Sequence, residues 1–151
     1  MKQAEYQKII KDAIKSEIEA NEFYMSVSKK VKEPALKILF KDIAGEEIKH
    51  REFLEGFMAQ GLKTMSFDTA KDYRVTDAQK TPSLKPDMKP LDGLVLAIKK
   101  ELESMLMYSQ LANASTDNDQ KLLFLGLVAM ERSHKARLED IYTDMAFPEA
   151  S

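Results

Sequence analysis

The sequence predicts an all-α protein, a four-helix bundle made of two duplicated helical hairpins that a long crossover joins. Three observations predict this class. Helix-breaking residues are scarce, since the 151 residues include only five Gly and five Pro. Four stretches repeat apolar residues at steps of three and four, which is the spacing of one helix face. The pattern of the first half also returns in the second half.

The internal repeat is a shift of 84 residues, since Ala13–Glu19 recurs as Ala97–Glu103. The same shift holds without a gap along both halves of the chain. It superposes Tyr24 on Tyr108, Glu47 on Glu131, His50 on His134 and Leu54 on Leu138. Each half therefore encodes one copy of the same two-helix unit.

The predicted helices span about residues 3–31, 34–60, 90–113 and 118–146, in a single domain over 1–151. Pro34 stands at the start of the second helix, where proline is tolerated because the first helical amides need no partner. Between the hairpins, residues 61–89 are turn-rich and weakly periodic. A connection of this length can return along helices about 38 Å long, which is the topology of the ferritin-like bundle. We expect it either to carry a short element or to cover one end of a site in the bundle.

Composition and charge narrow the possible partners. The formal net charge of −2 gives no electrostatic basis for binding nucleic acid or an anionic membrane. The absence of Cys excludes disulfides, thiolate catalysis and Cys-ligated zinc or iron–sulfur centres. Met1–Lys11 is polar, unlike a signal peptide, and no apolar run reaches membrane-spanning length. We therefore expect a cytoplasmic protein with neither nucleic-acid nor membrane partners.

The inward faces of the four predicted helices are apolar except at one level. The polar residues at that level are Glu17, Glu47, His50, Glu101, Glu131 and His134. An ionised carboxylate is very costly to bury without a compensating charge, and no Lys or Arg lies on these faces. Two divalent cations would balance the four carboxylates. The sequence therefore predicts a two-metal site with these six residues as ligands.

The spacing of the ligands supports the same site. Glu and His three residues apart share a helix face, so Glu47 with His50, and Glu131 with His134, can each hold a metal. A lone Glu-x-x-His pair usually faces solvent. Two such pairs, with one Glu on each remaining helix, match the ligand pattern of di-iron and di-manganese carboxylate bundles. Zinc would satisfy the same ligands.

Other residues near the predicted site admit two interpretations. Tyr24 and Tyr108 stand two helical turns beyond Glu17 and Glu101, so they either hydrogen-bond a ligand carboxylate or fill the core. Gly45 would leave room beside the metals or permit close helix packing. Glu46 falls off the inward stripe, and we interpret it as part of a solvated face.

With these residues in place, the sequence resembles the rubrerythrins of the ferritin-like superfamily. The resemblance covers both hairpins and rests on the paired motifs EIKH at 47–50 and ERSH at 131–134. It implies a non-haem centre of two iron ions per chain, held by the six predicted ligands, that reacts with hydrogen peroxide or dioxygen. Rubrerythrins tend to carry a further glutamate three residues after the third-helix ligand, where this sequence has Ser104.

The leading functional hypothesis is a di-iron oxidoreductase that acts against oxidative stress. Rubrerythrins usually carry a rubredoxin domain with four cysteines, and this sequence has none, so we expect electrons from a separate donor such as a rubredoxin-type protein. The alternatives are a ferroxidase that handles iron and a metal-binding protein without turnover. The residues after Met145 are too few for the fifth helix of cage-forming ferritins, so we expect a homodimer.

Overall fold

The computed structural model describes residues 3–61 and 82–148, which form four long α-helices. The helices are α1 (Gln3–Lys30), α2 (Pro34–Gly61), α3 (Pro90–Ala114) and α4 (Asn118–Ala146). Each observed helix end lies within one residue of its predicted position. No helix in the described ranges is long and apolar enough to cross a membrane.

Local sequence explains where the helices begin and end. Proline occupies the first helical position of α2 and of α3, where its missing amide hydrogen leaves no backbone partner unsatisfied. The side chain of Asp117 caps α4 by accepting a hydrogen bond from the backbone amide of Gln120 at 2.8 Å. Lys29 and Lys30 end α1, at the negative end of its helix dipole.

The helices pack as two antiparallel hairpins, α1 with α2 and α3 with α4, and α1 also contacts α3. Two apolar clusters fill the core. One joins the start of α1 to the end of α3 and includes Tyr6, Leu54, Tyr108 and Phe124. The other joins the end of α1 to the start of α3 and includes Phe23, Tyr24, Phe40, Leu94 and Leu138. The predicted polar level lies between these clusters on every helix.

The two clusters also show where the second hairpin begins relative to the end of the first. The end of α2 contributes to the first cluster through Leu54, whereas the start of α3 contributes to the second through Leu94. The end of α2 and the start of α3 therefore lie at opposite ends of the bundle, as in a ferritin-like four-helix bundle. The fold class predicted from sequence is thus confirmed.

The last part of the crossover, residues 82–89, lies against α1. Residues 62–81 of the linker that the sequence predicts over 61–89 lie outside the described residues. The side chain of Leu84 is buried in the second apolar cluster. The amine of Lys30 donates hydrogen bonds to the carbonyls of Pro86 at 2.7 Å and Met88 at 2.9 Å. These contacts attach the crossover to the C-terminal end of α1.

Candidate metal centre

The structure brings all six predicted ligands together at mid-height in the bundle. Each of the four helices carries them on its inward face, and each residue is no more than 4% exposed. The group consists of Glu17 on α1, Glu47 and His50 on α2, Glu101 on α3, and Glu131 and His134 on α4. The three- and four-residue spacing of the stripes is what places them at one level.

The six side chains form two overlapping sets, each able to hold one metal ion. In the first set, single ligand atoms of Glu17, Glu47, His50 and Glu131 all lie within 4.8 Å of one another. The second set, with the same spacing, consists of Glu47, Glu101, Glu131 and His134. Glu47 and Glu131 belong to both sets, so each could serve either ion. The remaining residues are placed to serve one ion each.

Both histidines turn the same ring nitrogen toward the carboxylates. The Nδ1 atom of His50 lies 2.8 Å from Glu131 Oε1 and 3.6 Å from Glu17 Oε1. The Nδ1 atom of His134 lies 2.7 Å from Glu47 Oε1 and 3.7 Å from Glu101 Oε1. The 84-residue repeat relates these two sets of distances. Nδ1 is therefore the nitrogen of each ring that could bind a metal.

Glu17 and Glu101, which each belong to only one of these ligand sets, accept a hydrogen bond from a tyrosine of the opposite hairpin. The hydroxyl of Tyr108 donates to Glu17 Oε1 at 2.8 Å, and that of Tyr24 donates to Glu101 Oε1 at 2.7 Å. The other oxygen of each glutamate, Oε2, is buried without a hydrogen-bond partner among the described residues. Both interpretations of these tyrosines hold, since they are also fully buried core aromatics.

The carboxylates of this cluster titrate unequally. Burial raises the pKa of Glu47 well above its usual value, and the charges of Glu17 and Glu101 add to that rise. Burial also raises the pKa of Glu101 and outweighs the lowering effect of the nearby His134 ring. For Glu17, burial raises the pKa, but the nearby Glu47 and His50 side chains outweigh that effect, so its pKa is lowered. Neighbouring carboxylates with unlike pKa values indicate a cluster that holds protons when it has no cation.

Several buried atoms of the cluster fit a pair of cations. Glu17 Oε2, Glu101 Oε2, Glu47 Oε1 and His134 Nδ1 have no hydrogen-bond partner in the described part of the chain. His134 Nδ1 and Glu47 Oε1 approach to 2.7 Å without forming a hydrogen bond. Unpaired buried polar atoms are expensive, and these converge on the two positions that the ligand sets surround. Two divalent ions would satisfy these atoms and balance the four carboxylates.

Comparisons with known proteins agree with this arrangement. The family model described as rubrerythrin matches residues 8–142. The chain belongs to the rubrerythrin family.

Two solved structures share the fold. A hypothetical protein from Pyrococcus furiosus is 28% identical, with a TM-score of 0.77, over 93% of this chain and 89% of its own. A Thermotoga maritima protein described as a ferritin-like diiron-carboxylate protein is 19% identical, with a TM-score of 0.70. That alignment covers 96% of this chain and 97% of the other. No curated protein matches the sequence.

A cleft between α1 and α3 leads to the cluster of this rubrerythrin-family protein. Its walls include Ser16, Lys100 and Ser104, and it reaches Glu17, Glu47, Glu101 and Glu131. Leu84 of the crossover also lines it, so the described part of the crossover covers part of this entrance. Ser104 brings a hydroxyl to the position where rubrerythrins tend to have a further carboxylate. The cleft is the route by which a small molecule could reach the cluster.

The sequence interpretation of Glu46 as a solvated residue is wrong. The Glu46 carboxylate contacts His134 Nε2 and accepts a hydrogen bond from Arg137 Nη2 at 3.0 Å. Burial raises the pKa of Glu46, but the hydrogen bonds and charges of His134 and Arg137 outweigh it and lower the pKa. The sequence signals only that these positions break the repeat, since the shift of 84 pairs Glu46 with Met130 and Arg137 with Phe53; it does not show which side chain Glu46 contacts.

Proposed function

We propose that this protein is a non-haem di-iron oxidoreductase that reduces hydrogen peroxide or dioxygen with electrons from a separate donor. The observation that carries the proposal is the pair of overlapping, buried ligand sets that share Glu47 and Glu131. Membership of the rubrerythrin family and the description of the Thermotoga maritima neighbour support iron as the metal. Two iron ions per chain is the stoichiometry that the two sets support.

The chemistry of electron transfer belongs to the metal pair. When bound, two ferrous ions supply the two electrons that, with two protons, convert one hydrogen peroxide into two waters. The protein supplies geometry and charge. Glu47 and Glu131 hold the two positions at a fixed spacing, and the hard carboxylate oxygens suit both oxidation states of iron.

The tyrosines and the apolar clusters set the environment of the reaction. Tyr24 and Tyr108 donate to Oε1 of Glu101 and Glu17. The Oε2 atom of each glutamate has no partner within residues 3–61 and 82–148 and is therefore available to a metal. The apolar clusters on both sides of the polar level exclude water from the rest of the core. Peroxide or dioxygen would enter through the cleft beside Ser16 and Ser104.

Anaerobic iron loading followed by addition of peroxide tests the proposal. We expect two Fe(II) per chain and a rise in near-ultraviolet absorbance when peroxide oxidises both ions. Repeated turnover with an added reductant is expected as well. Iron that accumulates far beyond two per chain would indicate a ferroxidase or storage role instead. Oxidation that stops after one turnover despite the reductant would indicate a metal-binding protein without turnover.

Ligand variants test the site assignment in the same experiment. Glu47→Ala should remove a ligand from both sets and leave the chain with less than one tightly bound iron. His50→Ala should affect the first set alone. Glu52→Ala is the matched control, because Glu52 lies on the same helix with an exposed side chain. Wild-type iron content in Glu47→Ala would contradict the site.

We propose further that the protein is a homodimer that uses an apolar face of α3. Leu91, Val95, Leu102 and Leu106 are between 37% and 49% exposed. At about 100° per residue they lie within roughly 60° of one another and span about 22 Å of the helix. An exposed apolar stripe of this length is typical of an interaction surface.

A further inference from the structure

One difference breaks the repeat symmetry of the metal centre. On the second half of the site, the Nε2 atom of His134 contacts the carboxylate of Glu46, which reaches across from α2 to α4. Glu46 Oε2 also accepts a hydrogen bond from Arg137 Nη2 at 3.0 Å. The carboxylate is 26% exposed and the Arg137 side chain 33%, so the pair is half-buried at the edge of the core.

Among the described residues, the first half of the site has no such partner. The shift of 84 residues places Met130 where the other half has Glu46, and Phe53 where it has Arg137. Neither residue can accept a hydrogen bond from an imidazole through a carboxylate. The Nε2 atom of His50 is buried and has no hydrogen-bond partner within residues 3–61 and 82–148. The two histidines therefore match in their Nδ1 contacts and differ in their Nε2 contacts.

This difference matters for metal binding. A neutral imidazole that binds a metal through Nδ1 carries its proton on Nε2. A carboxylate that accepts this proton's hydrogen bond fixes the tautomer and the ring orientation, and it raises the basicity of the ligating nitrogen. Arg137 holds the Glu46 carboxylate in place for that role. His50 lacks these contributions.

We propose that Glu46 is a positioning residue that makes the two metal positions unequal, so that the position served by His134 binds a divalent cation more tightly than that served by His50. The inference rests on the proposed two-metal centre. It implies an order of filling, in which the set containing Glu101 and His134 takes the first ion. The second ion then completes the centre at the set containing Glu17 and His50.

Titration of the metal-free protein with Co²⁺ tests the proposal by calorimetry and by the visible absorption of the bound ion. For wild type we expect two equivalents per chain with distinct affinities. Glu46→Met, which copies the residue at the repeat position, should weaken the tighter site by about 10- to 100-fold and leave the other unchanged. Glu46→Gln keeps an acceptor oxygen without the charge, so the affinity of its tighter site should lie between those of wild type and Glu46→Met. Glu52→Met is the control for the same charge change at an exposed position of α2.

Histidine backgrounds locate the effect. In His50→Ala, the one Co²⁺ that still binds should show the wild-type spectrum of the first equivalent. Combining His50→Ala with Glu46→Met should lower the affinity of this remaining site. In His134→Ala, the further substitution Glu46→Met should leave the affinity of the remaining Co²⁺ site unchanged. Equal weakening of both sites, no weakening of either, or an undiminished effect in His134→Ala would overturn the proposal. Failure of wild type to bind two Co²⁺ would instead overturn the metal centre itself. Circular dichroism of each metal-free variant checks that it is folded.

Discussion

The crossed tyrosine–glutamate bonds are the features that tie the two hairpins together at the level of single residues. Tyr24 of the first hairpin binds Glu101 of the second, and Tyr108 of the second binds Glu17 of the first. Burial raises the pKa of both hydroxyls well above the usual value, and the nearby carboxylates raise it further. Each tyrosine therefore stays protonated and remains a donor to its glutamate over the physiological range.

Alkaline denaturation provides a test of these buried hydroxyls. An unfolded tyrosine ionises near pH 10, whereas a folded Tyr24 or Tyr108 keeps its proton. The free energy of unfolding should therefore fall as pH rises past 10, by about 1.4 kcal/mol per pH unit for each such tyrosine. Tyr24→Phe and Tyr108→Phe should each reduce this slope in urea denaturation of the metal-free protein between about pH 9 and 11. Wild-type slopes in both Tyr24→Phe and Tyr108→Phe would contradict the assignment.

At the scale of elements, the close approach of α1 and α3 depends on Gly93. A Cβ atom at Gly93 would overlap the ring of Phe23 on α1. For Gly45, the sequence left open either room beside the metals or close helix packing, and a Cβ atom there would meet nothing within 4 Å. The close approach is therefore near the start of α3, in the second apolar cluster, and not beside the metal ligands.

Alanine at two glycines separates packing from helix propensity. Gly93→Ala should destabilise the protein by about 1–3 kcal/mol, because Phe23 must leave its place in the core. Gly126→Ala, on an exposed part of α4 with nothing within 4 Å of the new Cβ, should stabilise it by about 0.5–1 kcal/mol. Urea denaturation of both variants measures the difference. A stabilising Gly93→Ala would show that α1 and α3 are not closely packed there.

At the scale of the whole molecule, the fold and the six ligands were predicted mainly from the internal repeat and the helical period. Both are local properties, so the helix ends and the level of the six ligands could be read along the chain. The contact between Glu46 and His134 could not be predicted from the sequence, because it depends on the distance between α2 and α4. The burial of Leu84 escaped prediction for the same reason, since it depends on where the crossover meets the hairpins. Spacing fixes which residues share a helix face, and packing between helices decides which side chains meet across it.

The proposed dimer is a property of the whole molecule, and the repeat again provides the comparison. The apolar stripe residues Leu91, Val95, Leu102 and Leu106 of α3 correspond to Gln7, Lys11, Ile18 and Glu22 of α1. Three of the four positions are thus polar on the helix that shares the same ancestry and the same inward face. The inward faces of α1 and α3 are alike, whereas only α3 has an apolar outer face. This difference is expected if another copy of the chain covers the outer face of α3.

Charged substitutions on the stripe should dissociate the dimer. We expect wild type to have the mass of two chains at micromolar concentration in sedimentation equilibrium. Leu102→Lys combined with Leu106→Lys should have the mass of one chain, because four like charges would then face each other across a two-fold interface. Ile38→Lys, at a 61% exposed position on the first hairpin, should leave the dimer intact. A monomeric wild type, or a double variant that remains dimeric, would show that the α3 stripe is not the interface. The metal content of the double variant should stay at the wild-type value, because all six ligands of the centre come from one chain.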